Sequence, residues 1–212
     1  MSVLLEAIDL EIERGGRCLI DGLRLEVAEG DLVYVQGVNG SGKTTLLRVL
    51  AGLSRFSHAG TVRRFVDCLY LGHQSAVKTL LSPRENLLLH ASGESFGGTD
   101  AVDTALKEVG LYGYEDVPAS RLSAGQQRRV NLARLFLSAR PLWLLDEPFT
   151  AIDSDGIGVL EQQLACHVRG GGAVVMTSHQ PLQRVAASKT VILGDHNTTG
   201  QPGSIVELAD AP

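Results

Sequence analysis

Apolar and polar residues alternate through the first thirty positions of the chain. The alternation covers residues 4–12 and 23–27, and the pair Gly15 and Gly16 lies between the two stretches. A period of two is typical of a strand with one buried face, and adjacent glycines indicate a turn. We therefore predict an antiparallel β layer at the N-terminus.

Short, wholly apolar runs mark the rest of the chain at intervals. They cover residues 32–35, 142–145 and 173–176. Each is too short for a helix and has the composition of a strand buried on both faces. Helical periodicity follows the first two runs, over residues 43–51 and 157–164. Strands that alternate with helices predict an α/β fold with a parallel core sheet.

A helical segment separates the first and second of these runs. Ser82 and Pro83 have the composition of an N-cap followed by a first-turn proline. We predict a helical subdomain over about residues 79–138. It would interrupt a core formed by residues 1–78 and 139–212 within a single domain.

The composition restricts the possible functions. Of the 212 residues, 44% are hydrophobic and 20% are charged, as in ordinary soluble domains. The apolar runs fall far short of the roughly 18 residues that a membrane span needs. A net charge of -5 argues against a nucleic-acid partner. The N-terminus lacks the pattern of a secretory signal, so we expect a cytoplasmic protein.

The first buried run leads into the pattern G-x-x-x-x-G-K-[ST], which we call the phosphate loop. Its residues are Gly37, Val38, Asn39, Gly40, Ser41, Gly42, Lys43 and Thr44, and Thr45 follows. Backbone N–H groups in such a loop cradle phosphates at the start of a helix. Lys43 is expected to reach the β- and γ-phosphates, and Thr44 to ligate Mg²⁺. The pattern, together with its strand–helix context, predicts that ATP binds here as Mg-ATP, whereas the alternative is a glycine-rich turn without a ligand.

A second acidic site follows the run at 142–145. Asp146 ends this predicted strand, and Glu147 comes next. Ligands of parallel sheets lie at the carboxyl ends of the strands, so Asp146 is expected to hold Mg²⁺ through water. Glu147 is then placed to polarise the water that attacks the γ-phosphate. The alternative is that Asp146 only caps the following turn.

A third motif distinguishes among the proteins that share these two sites. The segment 122–129 resembles the LSGGQ signature of ABC ATPases, with Ala124 in place of one glycine. Ser123, Gly125 and Gln126 are its expected nucleotide contacts, at a helix N-terminus that favours anions. Ser123 and Gln126 also fit a capping box, which is the alternative that requires no nucleotide.

The resemblance implies a P-loop NTPase fold of the ABC ATPase type. In that family the signature meets the γ-phosphate of ATP on the opposite subunit, so it implies a head-to-tail dimer with a second copy of the chain. Gln74 matches the glutamine that touches Mg²⁺ and water. Asp153 lies in the loop that carries signals across the dimer, and His179 matches the switch histidine of the γ-phosphate.

Finer details resemble one ABC family, the ATP-binding subunit CcmA of the haem exporter used in cytochrome c biogenesis. They lie in residues 71–74, 85–87, 148–153 and 178–182. That resemblance implies integral membrane permease subunits as partners and a peripheral position on the inner face of the cell inner membrane. The alternatives are the ATPase subunit of another ABC transporter, a non-transport ABC ATPase and a small-molecule kinase.

The chain departs from the ABC pattern in one place. These ATPases usually stack adenine on an aromatic residue before the phosphate loop, but residues 12–17 contain none. Arg14 or Arg17 can stack through its guanidinium face, since arginine packs on flat rings. We therefore predict measurable use of GTP.

Overall fold

The computed structural model describes residues 1–54, 58–91, 97–178, 180, 182–194 and 205–210, of which residues 58, 91 and 205–210 are described by their backbone alone. The strands in these ranges are β1 (Val3–Arg14), β2 (Arg17–Ala28), β3 (Leu32–Gly37), β4 (His58–Arg64), β5 (Cys68–Leu71), β6 (Leu142–Asp146), β7 (Ala173–Thr177), β8 (Lys189–Leu193) and β9 (Ile205–Asp210). The helices are α1 (Lys43–Leu50), α2 (Pro83–Ala91), α3 (Gly98–Glu108), α4 (Ala124–Leu132) and α5 (Ser154–Arg169). Two 3₁₀ turns cover Ala119–Arg121 and Ala133–Phe136. None of the described helices is both long and apolar enough to cross a membrane.

The N-terminal strands form the predicted antiparallel layer. Its order is β2-β1-β4, so β1 pairs with both neighbours. The buried face of β1 includes Leu5, Leu10 and Ile12, which are fully shielded from solvent. They join Leu46 and Leu50 of α1 in one hydrophobic cluster. The layer is therefore packed against the helix that follows the phosphate loop.

The core is a six-stranded sheet in the order β5-β6-β7-β3-β8-β9. The first five strands are parallel, which confirms the predicted parallel core sheet, and β9 is antiparallel to β8. Strand β8 was not predicted. All residues of β6 and β7 are buried, because helix α1 covers one face of the sheet and α5 covers the other.

Helices α2, α3 and α4 enclose a hydrophobic cluster of their own. Leu87, Leu106 and Val130 are among its fully buried members. Arg84 of α2 also forms ion pairs with Asp103 and Asp116. The region is broken into separate helices and 3₁₀ turns, and its limits at residues 79 and 138 stay a prediction. Helix α4 of this region begins at the signature segment, with Ser123 as its N-cap.

Candidate nucleotide-binding site

The phosphate loop connects the central strand β3 to α1. Lys43 is 8% exposed, and its Nζ donates hydrogen bonds to the carbonyls of Gly37 (2.7 Å) and Val38 (3.1 Å). The ammonium therefore lies over the loop's own backbone. Gly37 has φ +150°, and a Cβ there would lie 2.5 Å from Oγ of Ser41 and 2.8 Å from the carbonyl of Leu193. Glycine is required at this position because no larger residue fits the tight turn.

The remaining loop residues differ in their exposure. Ser41 and Thr45 are buried, whereas Asn39, Gly40 and Thr44 are exposed to solvent. Oγ of Ser41 has no hydrogen-bond partner among the described residues. Gly42 is the N-cap of α1 and packs against the side chain of Leu19 in β2. The exposed positions are thus open to a ligand at the positive end of the helix.

Asp146 ends β6 and lies beside Thr177 at the end of β7. It is 1% exposed, and its Oδ1 accepts a hydrogen bond from Oγ1 of Thr177 at 3.0 Å. Its Oδ2 is buried and has no partner within the described ranges. A buried carboxylate oxygen without a donor is costly, so this oxygen suits a bound cation or a water held by one. The donor set therefore fits Mg²⁺, which prefers oxygen ligands.

Thr44, Gln74 and Asp146 line one open cavity of about 500 Å³. The first lies on α1, the second follows β5, and the third ends β6. The cavity forms because parallel strands end at the same edge of the sheet. The structure thus brings together the three residues that the sequence proposes for the metal. His73 and Arg48 complete part of its wall.

Glu147 follows Asp146 in an unusual backbone conformation. Its φ of +52° is in the left-handed region, which costs a residue with a side chain about 1–3 kcal/mol. Its N–H donates to Oγ1 of Thr177 at 2.9 Å, and Oγ1 of Thr150 donates to its Oε2 at 3.2 Å. These contacts hold the carboxylate at the end of β6, next to Asp146.

The signature segment starts α4, and Ser123 is its N-cap. Oγ of Ser123 accepts from the N–H of Gln126 at 3.2 Å, and Oε1 of Gln126 accepts from the N–H of Ser123 at 2.9 Å. The capping box that the sequence allows is therefore present, and it leaves the serine hydroxyl proton available to a ligand. Ser123, Gly125 and Gln126 do not line the cavity that Thr44 and Asp146 share.

Asp153 links α5 to α4. It caps α5 by accepting a hydrogen bond from the N–H of Gly156 at 3.1 Å, and it pairs with Arg129 of α4 at 2.8 Å. The hydrogen bond from Gly156 lowers the pKa of Asp153, and Arg129 lowers it further. Gly125 also lies against the carbonyl of Ala151, where a Cβ would come within 3.3 Å. The signature and the loop before α5 therefore form one contiguous surface.

His179, the expected switch residue, lies outside the described residues. The structure describes the backbone on both sides of it. Tyr34 donates its hydroxyl to the carbonyls of Ser178 (2.7 Å) and Gln180 (3.0 Å). Glu161 of α5 is 1% exposed and accepts from the N–H groups of residues 183 (2.7 Å) and 184 (3.0 Å). The segment after β7 is thus tied to both β3 and α5.

Sequence reasoning missed Thr177, Thr150 and Glu161. Thr177 has a usable signal, because it ends the strand parallel to the one that ends at Asp146. Thr150 is three residues after Glu147, which is the spacing of a turn contact. Glu161 has no local signal, since a glutamate in an amphipathic helix is normally solvated.

Comparison with known families agrees with this geometry. The family model "ABC transporter" matches residues 20–150. The "Cytochrome c biogenesis ATP-binding export protein CcmA" of Pseudomonas fluorescens (strain Pf0-1) is 47% identical over 88% of this chain and 93% of its own length. The protein of the same name from Yersinia pestis is 46% identical over 86% of this chain and 89% of its own.

Solved structures show the same fold. An ATP-binding subunit of an ABC transporter superposes with a TM-score of 0.82 at 21% identity, covering 98% of this chain and 90% of that one. A dimeric ATP-binding cassette in a post-hydrolysis state, bound to ADP and Pi, gives 0.81 at 20% identity and covers 98% of both chains. The chain is an ATP-binding protein of the ABC transporter family, and within that family it belongs to the cytochrome c biogenesis ATP-binding export proteins, CcmA.

Proposed function

We propose that this chain hydrolyses ATP to drive an exporter used in cytochrome c biogenesis, with haem as the cargo. The observation that carries the ATPase assignment is the cavity shared by Thr44, Gln74 and Asp146, because it joins the phosphate loop to the end of β6, where Glu147 follows Asp146 in the chain. The export role is supported by the names of the relatives, which are 46–47% identical over most of their length.

The nucleotide lies along the phosphate loop. Backbone N–H groups of residues 37–45 surround its phosphates, and Lys43 leaves the carbonyls of Gly37 and Val38 to pair with the β- and γ-phosphates. Thr44, Gln74 and Asp146 would hold Mg²⁺, since all three line this cavity and offer it oxygen atoms. When bound, the ion neutralises charge on the phosphates.

Glu147 is the catalytic residue that accepts a proton from the attacking water. Its left-handed backbone and its contacts with Thr150 and Thr177 fix the carboxylate before substrate arrives, which is the positioning that a general base requires. Gln74 orients the same water from the segment that follows the neighbouring strand β5. His179 is assigned to the γ-phosphate through the family resemblance.

Two copies of the chain complete two sites. Ser123, Gly125 and Gln126 do not line the cavity of their own chain, although they form the start of a helix suited to phosphate. We assign them to the γ-phosphate held by a second copy in a head-to-tail dimer. Asp153, which pairs with Arg129 of the same helix, then lies at the boundary between the copies.

The exporter's other components are integral membrane permease subunits, to which this chain binds on the inner face of the cell inner membrane. The test is to tag the chain in its own cells, isolate the membranes and identify the co-purified proteins by mass spectrometry. Integral membrane proteins in stoichiometric amounts are expected. Recovery of the chain alone, away from the membranes, would contradict the export role.

The ATPase itself is tested with the purified chain and Mg-ATP. Glu147→Gln should lower turnover by about 10²-fold or more, as loss of a general base does, while ATP binding is kept. Glu26→Gln, at an exposed strand position, is the matched control and should retain full activity. Equal turnover in both variants would refute the role of Glu147.

A further inference from the structure

One buried arginine of helix α4 contacts the chain at the ends of two strands. Arg128 is 5% exposed. Its Nη1 donates to the carbonyls of Gly72 (2.8 Å) and His73 (3.1 Å), and its Nη2 donates to the carbonyls of Asp146 (3.2 Å) and Glu147 (2.7 Å). A single guanidinium therefore joins the segment after β5 to the end of β6.

These carbonyls lie where the β5–β6 ladder stops. The last paired residues of the two parallel strands are Leu71 and Leu145. Beyond that pair, Arg128 supplies the hydrogen bonds that connect the two chain segments. The segment after β5 continues directly into Gln74, and the end of β6 continues into Glu147. The contact therefore bridges the two chain segments that carry the residues assigned to the attacking water.

Arginine is the side chain that this geometry requires. Its planar guanidinium carries N–H donors that point in two directions, whereas the donors of a lysine ammonium all lie on one nitrogen atom. Burial lowers the pKa of Arg128, and the charges of Asp146 and Glu147 raise it. Its Nε is buried without a partner in the described part of the chain. A buried donor without a partner costs free energy.

We propose that Arg128 is a positioning residue for ATP hydrolysis, which fixes Gln74 against Glu147 and ties both to the helix that begins at Ser123. Two hydrogen bonds constrain the backbone of Glu147. Its N–H donates to Thr177, and its carbonyl accepts from Arg128. Together they hold its left-handed backbone, which no local preference favours. The inference rests on the proposed ATPase activity.

The test compares Arg128→Gln and Arg128→Lys in the full chain with Arg24→Gln as control, because Arg24 is an exposed arginine on β2. Arg128→Gln should lower kcat by about 10- to 100-fold, the cost of a misplaced catalytic group. Its KM for ATP should change by less than about threefold, because the phosphate loop is untouched. Arg128→Lys should give an intermediate kcat, since lysine reaches only one pair of carbonyls.

A second measurement separates positioning from a general structural defect. If Arg128 acts through Glu147, then adding Arg128→Gln to Glu147→Gln should cost much less in single-turnover rate than Arg128→Gln costs alone. Full additivity of the two losses would overturn the proposal. So would an unchanged kcat in folded Arg128→Gln.

If the Arg128→Gln protein does not fold, the kcat and KM of Arg128→Lys test the proposal instead. An Arg128→Lys protein with a raised KM and an unchanged kcat would contradict the proposal, and a lowered kcat with an unchanged KM would support it. Wild-type turnover tests the underlying ATPase independently. Failure of the ATPase and failure of the role of Arg128 are therefore distinguishable.

Discussion

Replacing Thr177 by valine removes a hydroxyl that contacts both Asp146 and Glu147. Oγ1 of Thr177 donates to Oδ1 of Asp146 at 3.0 Å and accepts from the N–H of Glu147 at 2.9 Å. Thr177 is fully buried, so water cannot replace the hydroxyl. Valine has nearly the same shape, and the substitution therefore leaves no cavity. The loss of stability reports on the two hydrogen bonds.

The expected loss follows from what is left unpaired. The carboxylate of Asp146 loses its hydrogen-bond donor, and the N–H of Glu147 loses its acceptor. Unsatisfied buried groups cost about 1–3 kcal/mol each, so the two groups together should lower the free energy of unfolding of Thr177→Val by about 2–6 kcal/mol. Thr177→Ser keeps the hydroxyl and loses one buried methyl group, worth about 1 kcal/mol.

Urea unfolding followed by circular dichroism measures both variants. With a slope of about 2 kcal/mol per molar urea, the valine variant should unfold at a midpoint lower by about 1–3 M. The serine variant should shift by about 0.5 M, which is about a sixth to a half of that. If valine proves as stable as serine, then the hydroxyl does not hold Asp146 and Glu147, and the reasoning is wrong.

Two further predictions concern acid stability and nucleotide choice. His167 stacks on Trp143 at 3.7 Å, and burial lowers its pKa. Its contribution to stability is therefore complete above the unfolded-state pKa near 6.5, and is lost as pH falls through the folded-state value. His167→Phe should consequently show a smaller drop in Tm between about pH 7.5 and 5.5 than wild type, and an equal drop would contradict this. Arg14 and Arg17 flank the turn between β1 and β2. GTP should compete measurably with ATP in a hydrolysis assay, and strict preference for ATP would refute base stacking by either arginine.

Much of the fold follows from local patterns in the sequence. The phosphate loop, the wholly apolar runs of β6 and β7 and the alternating N-terminal strands each carry a signal within a few residues. Strand β8 does not, because its apolar part covers only residues 191–193, which is shorter than the runs that mark the other strands. Its place beside β3 depends on the whole sheet.

The part of the site that is proposed to bind the metal is predictable for a different reason. Asp146 ends a buried strand, and the carboxyl ends of parallel strands meet at one edge, so its approach to Thr44 follows from topology alone. The backbone of Glu147 and the contacts of Arg128 could not be predicted. An arginine in the run Gln126–Arg129 has the appearance of a solvated residue, and its four carbonyl partners leave no trace in the sequence.

The central claim is that each ATP is held between two copies of the chain. The most direct test is the mass in solution of the Glu147→Gln chain, measured by size-exclusion chromatography with light scattering in the presence of Mg-ATP. The expected mass is twice the chain's 22.6 kDa with ATP and that of a single chain with ADP. Adding Ser123→Arg should abolish the ATP-dependent dimer. A mass of one chain under both nucleotides would contradict the shared site.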